Sequence, residues 1–256
     1  MALWGRYQNK KYTGFGLIEG EHIVAHEGNM FSGAAPNGKT LALADVKLLA
    51  PCVPTKMVAM WNNFHALAAK LEVAEPEEPL YLLKGNNSFL GPDETIRRPL
   101  SYNGKVVYEG ELGIVIGKTC TNVTETNAPD HIFGFTCIND VTASEIIFKD
   151  KTFPQWVRAK SFDTFGVYGP VIATGLDSST LVVKTVLNGV ERQNYQISDM
   201  IFPVPSLISM ISHDMTLFPG DIIACGTSLG VGSMKKESNI IEVTIDGIGT
   251  LSNVFE

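Results

Sequence analysis

Short hydrophobic runs separated by polar turn residues recur along the chain and predict a protein built mainly from β-strands. Two dipeptides, Asn188-Gly189 and Asp246-Gly247, are typical of tight hairpin turns between such strands. The absence of a repeating strand–helix–strand pattern argues against a doubly wound parallel sheet. Beyond residue 80 the runs are rich in β-branched and aromatic side chains, which favour strands, at residues 106–116, 133–138, 171–173, 181–187, 221–225 and 240–245.

Helical patterns are few. Residues 63–72 contain three alanines and two leucines, which favour a helix, and a second helix is predicted around residues 205–212. With so little helix beside so many strand patterns, we predict an α+β, mostly β fold.

The first 50 residues differ from the rest, because they contain only short strand patterns and a turn signal at Asn37-Gly38. A proline-marked connector at residues 51–54 follows them. We therefore predict two domains: a small β-rich domain over residues 1–53 and a larger domain over residues 54–256.

Composition excludes some classes of protein. Of the 256 residues, 45% are hydrophobic and 18% are charged, which is typical of a globular protein and not of a disordered one. The net charge of −7 disfavours nucleic acid as a partner. The chain has neither a signal-peptide pattern nor an apolar run long enough for a membrane, and its cysteine spacing suggests reduced thiols. We expect a soluble cytoplasmic protein.

Two glutamates, Glu109 and Glu111, lie two positions apart in the strand pattern of residues 106–116. Residues two apart on a strand point to the same face, so both carboxylates project together. Adjacent carboxylates repel unless a cation or a proton lies between them, and hard divalent cations prefer oxygen ligands. The pattern fits a metal site, and it fits equally well a bulge near Gly110 that turns one glutamate toward solvent.

A third acid follows the apolar run at residues 133–138, which ends in Asn139-Asp140. An acid just past a buried strand can serve as a metal ligand, although aspartate there is also a common helix cap. Farther along, residues 220–232 form a glycine-rich turn whose N–H groups could bind a carboxylate or a phosphate. Its glycine spacing does not match nucleotide-binding motifs, and an ordinary tight hairpin would explain it as well.

Taken together, these segments resemble the fumarylacetoacetate hydrolase family. The resemblance covers about residues 55–256, and a further family-like segment at residues 79–92 contains Lys84. Four motifs occur in the family's order: Glu109-Gly-Glu111-Leu, Asn139-Asp140-Val, Lys160-Ser-Phe-Asp-Thr164-Phe, and Gly220-Asp-Ile-Ile followed by Gly226-Thr227 and Gly230-Val-Gly232.

The resemblance implies a mixed, mostly β roll with a small N-terminal domain, and a homodimer. It implies that Glu109, Glu111 and Asp140 bind one divalent cation, Mg²⁺ or alternatively Ca²⁺ or Mn²⁺. The implied substrate is a small-molecule 2-oxo acid. Such an acid can chelate the cation through its carboxylate and 2-oxo oxygens, and the cation then stabilises an enolate.

The resemblance also implies which other residues line the pocket. Lys160 and Thr164 are the implied catalytic residues, and a lysine near the 2-oxo oxygen would add positive charge. Thr227 and Gly226, in the glycine-rich turn, together with Lys84, are the implied substrate-binding residues. For Lys160 the alternatives are a salt bridge to Asp163 and an exposed surface lysine.

The chain departs from the family at two places. Leu67 and Lys70 stand where many members have a histidine and a glutamate that activate water, and leucine cannot accept a proton. His65 lies about 200° around a helix from that position; it is kept as a catalytic candidate, although a lone histidine is more often structural. Ser144 stands where many members have an arginine for a substrate carboxylate, which weakens the case for a dicarboxylate.

These departures favour chemistry that needs only a metal and a proton shuttle. Tautomerisation or isomerisation of a 2-oxo or 2-hydroxy-enoic acid fits best. The alternative is hydrolysis of a C–C bond in an acylpyruvate- or fumarylacetoacetate-like substrate. A third hypothesis, a family member that only binds its ligand, is disfavoured because unneutralised acids in a pocket cost stability.

Overall fold

The computed structural model describes residues 1–10 and 12–256, which form twenty strands and three α-helices. The strands are β1 (Ala2–Asn9), β2 (Tyr12–Glu19), β3 (His22–Asn29), β4 (Ser32–Ala42), β5 (Lys47–Leu49), β6 (Met57–Trp61), β7 (Leu80–Lys84), β8 (Phe89–Leu90), β9 (Thr95–Ile96), β10 (Val106–Tyr108), β11 (Gly110–Ile116), β12 (Ile132–Asp140), β13 (Thr142–Ala143), β14 (Gly166–Thr174), β15 (Val182–Leu187), β16 (Val190–Gln196), β17 (Ile222–Ala224), β18 (Gly232–Ser233), β19 (Asn239–Ile245) and β20 (Gly249–Phe255). The helices are α1 (His65–Leu71), α2 (Trp156–Lys160) and α3 (Val204–Asp214).

Most strands belong to one large mixed sheet with the order β4-β3-β2-β1-β14-β12-β11-β17-β6-β7, to which β5 and β8 add at β1 and β14. A five-stranded sheet, β16-β15-β19-β20-β9, and a three-stranded sheet, β13-β10-β18, accompany it. Among the described residues, paired strands are antiparallel apart from β14–β8, β17–β6 and β20–β9. The α+β, mostly β fold class predicted from the sequence is confirmed.

The five-stranded sheet packs against β11, β12 and β14 of the large sheet, and the main hydrophobic core lies between them. Inward and outward positions alternate on β19, so Ile241, Val243 and Ile245 are buried. Strand β11 is buried along its whole length, and each fully buried leucine or isoleucine contributes roughly 1.5–3 kcal/mol. The beginning of β11 is therefore held firmly in place.

Several local predictions are confirmed. Asn188 and Gly189, with φ angles of 53° and 77°, connect β15 to β16 as the hairpin signal predicts, and α3 covers the helix predicted at residues 205–212. The helix predicted over residues 63–72 begins only at His65. The reason is that the buried Asn63 side chain bonds to Cys225 O and Phe202 N, both at 2.9 Å, which holds it outside the helix.

The first 50 residues are rich in strands, as predicted, but these strands extend the large sheet. Strand β1 pairs with β14 from Ala2 opposite Thr174 to Trp4 opposite Ile172. The proposed division into residues 1–53 and 54–256 therefore stays a prediction, because backbone hydrogen bonds join the two parts. Across the described ranges, the helices lack the length and apolar character needed to cross a membrane.

Candidate metal centre and active site

The chain passes from one sheet to another at Glu109, which separates β10 from β11. Strand β10 pairs with β13 and β18, whereas β11 pairs with β12 and β17 of the large sheet. The prediction of one continuous strand over residues 106–116 was wrong. Side chains replace a neighbouring strand here: the Glu109 N–H bonds to Asn139 Oδ1 at 3.1 Å, and the Gly110 N–H bonds to Gln193 Oε1 at 2.9 Å.

Glycine is required at residue 110 because the chain runs close against β15. A Cβ atom added to Gly110 would come within 2.0 Å of Thr185 Oγ1. No ordinary contact is that short, so a side chain at this position would displace Thr185 or its strand. The close approach places the two flanking glutamates at the junction of the sheets.

The carboxylates of Glu109, Glu111 and Asp140 converge at this junction. One oxygen from each lies within 4.8 Å of the others. Asp140 is the last residue of β12, and its backbone N–H bonds to Glu109 O at 2.8 Å. That bond brings the third acid beside the first, so the convergence predicted from three separate segments is confirmed.

Two lysines lie against these acids. Lys160, at the end of α2, donates to Glu109 Oε2 at 2.8 Å, Asp140 Oδ2 at 2.5 Å and Thr142 Oγ1 at 2.8 Å. Lys84, at the end of β7, donates to Asp140 Oδ1 from a fully buried position. The salt bridge of Lys160 is thus with the acidic cluster, and not with Asp163.

Burial and charge move the pKa values of the carboxyl groups in different directions. Burial is the main cause that raises the pKa of Glu111 well above its usual value, and the charges of Asp140 and Glu109 add to it. Burial also raises the pKa of Glu109, against the opposing effect of Lys160. For Asp140 burial acts in the same direction, but Lys160 and Lys84 outweigh it and lower the pKa.

The pKa values of the two lysines also move in opposite directions. Burial lowers the pKa of Lys84, and the neighbouring Asp140 offsets only part of that effect. Burial acts on Lys160 in the same way, but Asp140, Glu109 and Glu111 outweigh it and raise its pKa. Lys160 therefore keeps its proton at neutral pH.

The residues present fit a hard divalent cation. Glu111 Oε2 accepts the Gly226 N–H at 2.9 Å, whereas Oε1 is buried and has no hydrogen-bond partner among residues 1–10 and 12–256. An unpaired buried carboxylate oxygen is costly. Three carboxylates around one point form the all-oxygen donor set that Mg²⁺, Ca²⁺ and Mn²⁺ prefer.

The glycine-rich turn lies beside Glu111. Gly226 has a φ of +89°, a conformation that favours glycine and that aims its N–H at the carboxylate. Thr227 follows and donates to Gly110 O at 3.0 Å. Both predicted substrate-binding residues of the turn therefore contact the segment that bears the two glutamates.

Two residues of β16 also reach this segment and were missed by the sequence analysis. Gln193 Nε2 donates to Thr227 Oγ1 at 2.8 Å, and the Tyr195 hydroxyl donates to Gly110 O at 2.6 Å. Both residues lie in a polar run that looks like an exposed strand. Their spacing by two predicts a shared face, but nothing in the sequence indicates that this face meets the glutamates.

His65 and Thr164 bond to partners outside the acidic cluster. His65 Nδ1 lies 2.6 Å from Glu75 Oε1, and both side chains are about half exposed. Thr164 Oγ1 accepts the backbone N–H of Arg97 at 2.8 Å. Their catalytic roles stay predictions, and the geometry favours Lys160 over either of them.

Comparison with known proteins identifies the family of the chain. The family model described as fumarylacetoacetate (FAA) hydrolase, C-terminal, matches residues 56–256, and one described as Rv2993c-like, N-terminal, matches residues 3–51. The oxaloacetate tautomerase YisK of Bacillus subtilis is 36% identical over 93% of this chain and 84% of its own length.

Solved structures are similar over the whole chain. The 2-hydroxyhepta-2,4-diene-1,7-dioate isomerase from Mycobacterium marinum has a TM-score of 0.91 and 36% identity, covering 100% of this chain and 98% of that one. A maleylpyruvate hydrolase from Sphingobium, in complex with manganese(II) ion and pyruvate, has a TM-score of 0.79 and 27% identity at the same coverage. The chain belongs to the fumarylacetoacetate hydrolase family and is an enzyme of that family.

Proposed function

We propose that this enzyme interconverts the keto and enol forms of a small 2-oxo acid with the help of one divalent cation. The observation that carries the proposal is the convergence of three carboxylates within 4.8 Å, one of which leaves a buried oxygen unpaired. The similarity to an oxaloacetate tautomerase supports the reaction class. Oxaloacetate is therefore the first substrate to test.

Glu109, Glu111 and Asp140 would hold the cation, and we propose Mg²⁺, with Ca²⁺ or Mn²⁺ as alternatives. A cation there supplies a Lewis acid that stabilises the negative charge of an enolate. The presence of manganese and pyruvate in a similar hydrolase supports a divalent ion and a 2-oxo acid at this kind of site.

Lys160 is the proposed acid–base group. Its ammonium contacts two of the three carboxylates at 2.8 and 2.5 Å and keeps its proton. In the enol-to-keto direction Nζ gives its proton to the enolate carbon while the enol O–H proton leaves to solvent, and in the reverse direction the neutral amine takes the carbon proton back. Tautomerisation needs only this exchange, with no water molecule activated for attack.

For Lys84 we propose a positioning role in place of the substrate-binding role that the family resemblance implies. Its side chain is fully buried and its ammonium bonds to Asp140. A lysine so placed orients the carboxylate that it contacts. We therefore assign Lys84 to the positioning of Asp140, and we leave substrate binding to Thr227 and Gly226.

At residues 67 and 70 the chain lacks the pair of residues that would activate water for hydrolysis. Leu67 packs against the hydrophobic core and Lys70 is exposed on α1. Neither residue can replace the histidine or the glutamate that many family members have at these positions. The same α1 carries His65, whose ring is paired with Glu75 at the surface.

The proposal is tested with oxaloacetate and Mg²⁺ followed by NMR in D₂O. We expect faster keto–enol interconversion and deuterium exchange next to the 2-oxo carbon, without fragments, and loss of both effects with a chelator. Release of two products faster than in Mg²⁺ solution without the enzyme would instead establish cleavage. Binding of oxalate without exchange or cleavage of any 2-oxo acid tried would support a ligand-binding protein.

The proposal includes a homodimer in the cytoplasm. Light scattering in solution gives the mass directly, and a monomer would contradict this part of the proposal alone.

A further inference from the structure

Among the hydrogen bonds that connect β16, the glycine-rich turn and Gly110, four involve Thr227 or Gly110. Three of them form a closed ring. The Gly110 N–H donates to Gln193 Oε1 at 2.9 Å, Gln193 Nε2 donates to Thr227 Oγ1 at 2.8 Å, and Thr227 Oγ1 donates to Gly110 O at 3.0 Å. The fourth runs from the Tyr195 hydroxyl to the same Gly110 O at 2.6 Å.

The direction of every bond in the ring is determined by chemistry. A backbone N–H can only donate, so the oxygen of the Gln193 amide faces Gly110 and its NH₂ group faces Thr227. The NH₂ group can only donate as well, so the Thr227 oxygen accepts there. A backbone carbonyl can only accept, so the single proton of Thr227 lies on Gly110 O.

Thr227 therefore has no free proton in this state. A ligand carboxylate that approached it would meet a lone pair and be repelled. To bind a carboxylate, Thr227 has to turn its proton away from Gly110 O. Gly110 is buried, and an abandoned buried carbonyl would be costly.

Tyr195 removes that cost. Its hydroxyl is buried and already bonds to Gly110 O, so the carbonyl keeps one donor after Thr227 turns away. Thr227 stays bonded to Gln193 throughout, because that bond uses its lone pair. The exchange thus leaves every buried group of the ring with a partner.

We propose that Tyr195 and Gln193 are positioning residues that let Thr227 exchange its proton from Gly110 O to the carboxylate of an incoming ligand. This inference rests on the proposed function, since it takes a 2-oxo acid as the ligand. It adds a prediction that the family resemblance does not contain: the hydroxyl of Tyr195 matters only when Thr227 has a hydroxyl to turn.

The test is a double-mutant cycle with Tyr195→Phe and Thr227→Val, in which calorimetry measures first the binding of Mg²⁺ and then the binding of oxalate to the Mg²⁺-loaded protein. Tyr195→Phe should weaken oxalate binding about tenfold, the effect of leaving one buried carbonyl unpaired. Mg²⁺ binding should change less than about twofold, since Thr227 still bonds to Gly110 O without ligand.

The decisive measurement is the effect of Tyr195→Phe on oxalate binding in the Thr227→Val background. In Thr227→Val protein, Tyr195→Phe should cause no further loss of oxalate affinity, whereas a purely structural tyrosine would cause the same loss in both backgrounds. Thr227→Ser keeps the hydroxyl and should keep the dependence on Tyr195. Tyr168→Phe is the matched control, because the buried Tyr168 hydroxyl also donates to a backbone carbonyl, Cys52 O, at 2.9 Å.

The outcomes separate the two levels of proposal. Wild-type protein that binds Mg²⁺ but not oxalate overturns the proposed function, and the exchange with it. Wild-type protein that binds oxalate while Tyr195→Phe binds it equally well overturns only the exchange. The exchange alone is also overturned if Tyr195→Phe lowers oxalate affinity equally in the wild-type and Thr227→Val backgrounds, or if Tyr168→Phe lowers it as much.

Discussion

Lys84 and Asp140 form an ion pair in which both side chains are completely buried. Lys160 donates to the second oxygen of Asp140 at 2.5 Å, so both oxygens of this carboxylate accept hydrogen bonds from ammonium groups. A buried charge that loses its partner is strongly destabilising. The pair therefore fixes the orientation of Asp140 and couples the site to the stability of the whole fold.

Replacing Lys84 by methionine should destabilise the protein. We expect a loss of about 3 kcal/mol in the free energy of unfolding, at the low end for a broken buried pair because Lys160 still neutralises Asp140. The unfolding temperature should fall by roughly 6–12 °C for a chain of this length. Lys47→Met is the control, since Lys47 pairs with Glu94 at 2.6 Å in an exposed position; equal losses in the two variants would refute the argument.

Replacing Glu111 by glutamine should abolish the binding of Mg²⁺ and Mn²⁺ while preserving the fold. The amide keeps the shape of the side chain and can still accept from Gly226, but it has lost its charge. Calorimetric titration measures the effect, with Glu19→Gln on the exposed end of β2 as the control. Binding of wild-type strength by the glutamine variant would remove Glu111 from the site.

The stabilisation of the protein by Mg²⁺ should increase with pH. The pKa of Glu111 is raised in the folded protein, mainly by burial, so its contribution to stability is present below its unfolded pKa and is lost as pH rises through its folded pKa. Asp140, with a lowered pKa, loses its contribution only in more acidic solution. A bound cation replaces the proton on Glu111 and restores the stability.

Thermal unfolding with and without Mg²⁺ between about pH 5 and 8 checks this dependence. The shift in unfolding temperature caused by Mg²⁺ should grow across that range in the wild type. In Glu111→Gln it should be absent at every pH. A wild-type shift that is constant or declines with pH would contradict the assignment of the raised pKa to Glu111.

Replacing Lys160 by methionine should reduce turnover and leave metal binding intact. General acid–base catalysis contributes about 10²- to 10⁴-fold, so we expect kcat to fall by at least about 10²-fold. The carboxylates lose a competing ammonium, and Mg²⁺ affinity should be unchanged or higher. Arg158→Met, on an exposed position of the same helix, should retain both properties; normal turnover in the Lys160 variant would exclude it as the acid–base group.

Replacing His65 by alanine should have little effect. The side chain lies half exposed in a pair with Glu75, and exposed pairs contribute about 0–1 kcal/mol. Steady-state kinetics should show kcat/KM within about threefold of the wild type, which is the range left by a small positional change. A loss of two orders of magnitude would instead support the catalytic role that the sequence left open.

The acidic cluster could be predicted because its parts carry local signals. Glu109 and Glu111 stand two apart in a strand pattern, and Asp140 ends an apolar strand. What joined them was a resemblance to a family, and the structure then placed one carboxylate oxygen of each within 4.8 Å of the others. The strand break at Glu109 could not be foreseen, because it arises from side chains distant in sequence that take the N–H groups of residues 109 and 110.

The contribution of β16 could not be predicted for the same reason. Gln193 and Tyr195 lie 83 and 85 positions from Gly110, and their own neighbourhood looks like a solvated strand. Only the packing of the five-stranded sheet against β11 turns this face inward. Local patterns identify charged groups that need a partner, whereas the groups that supply neutral hydrogen bonds become visible once the sheets are packed.

The pairing of β1 with β14 has a consequence for any shortened form of the protein. A fragment beginning at residue 56 would leave the edge of β14 unpaired at residues 172–174, next to the buried Ile172 and Ala173. Bare apolar edges recruit strands from other molecules and lead to aggregation. The N-terminal strands thus cover an edge that the larger part of the chain would otherwise expose, and this cover comes from a segment outside the fumarylacetoacetate hydrolase match.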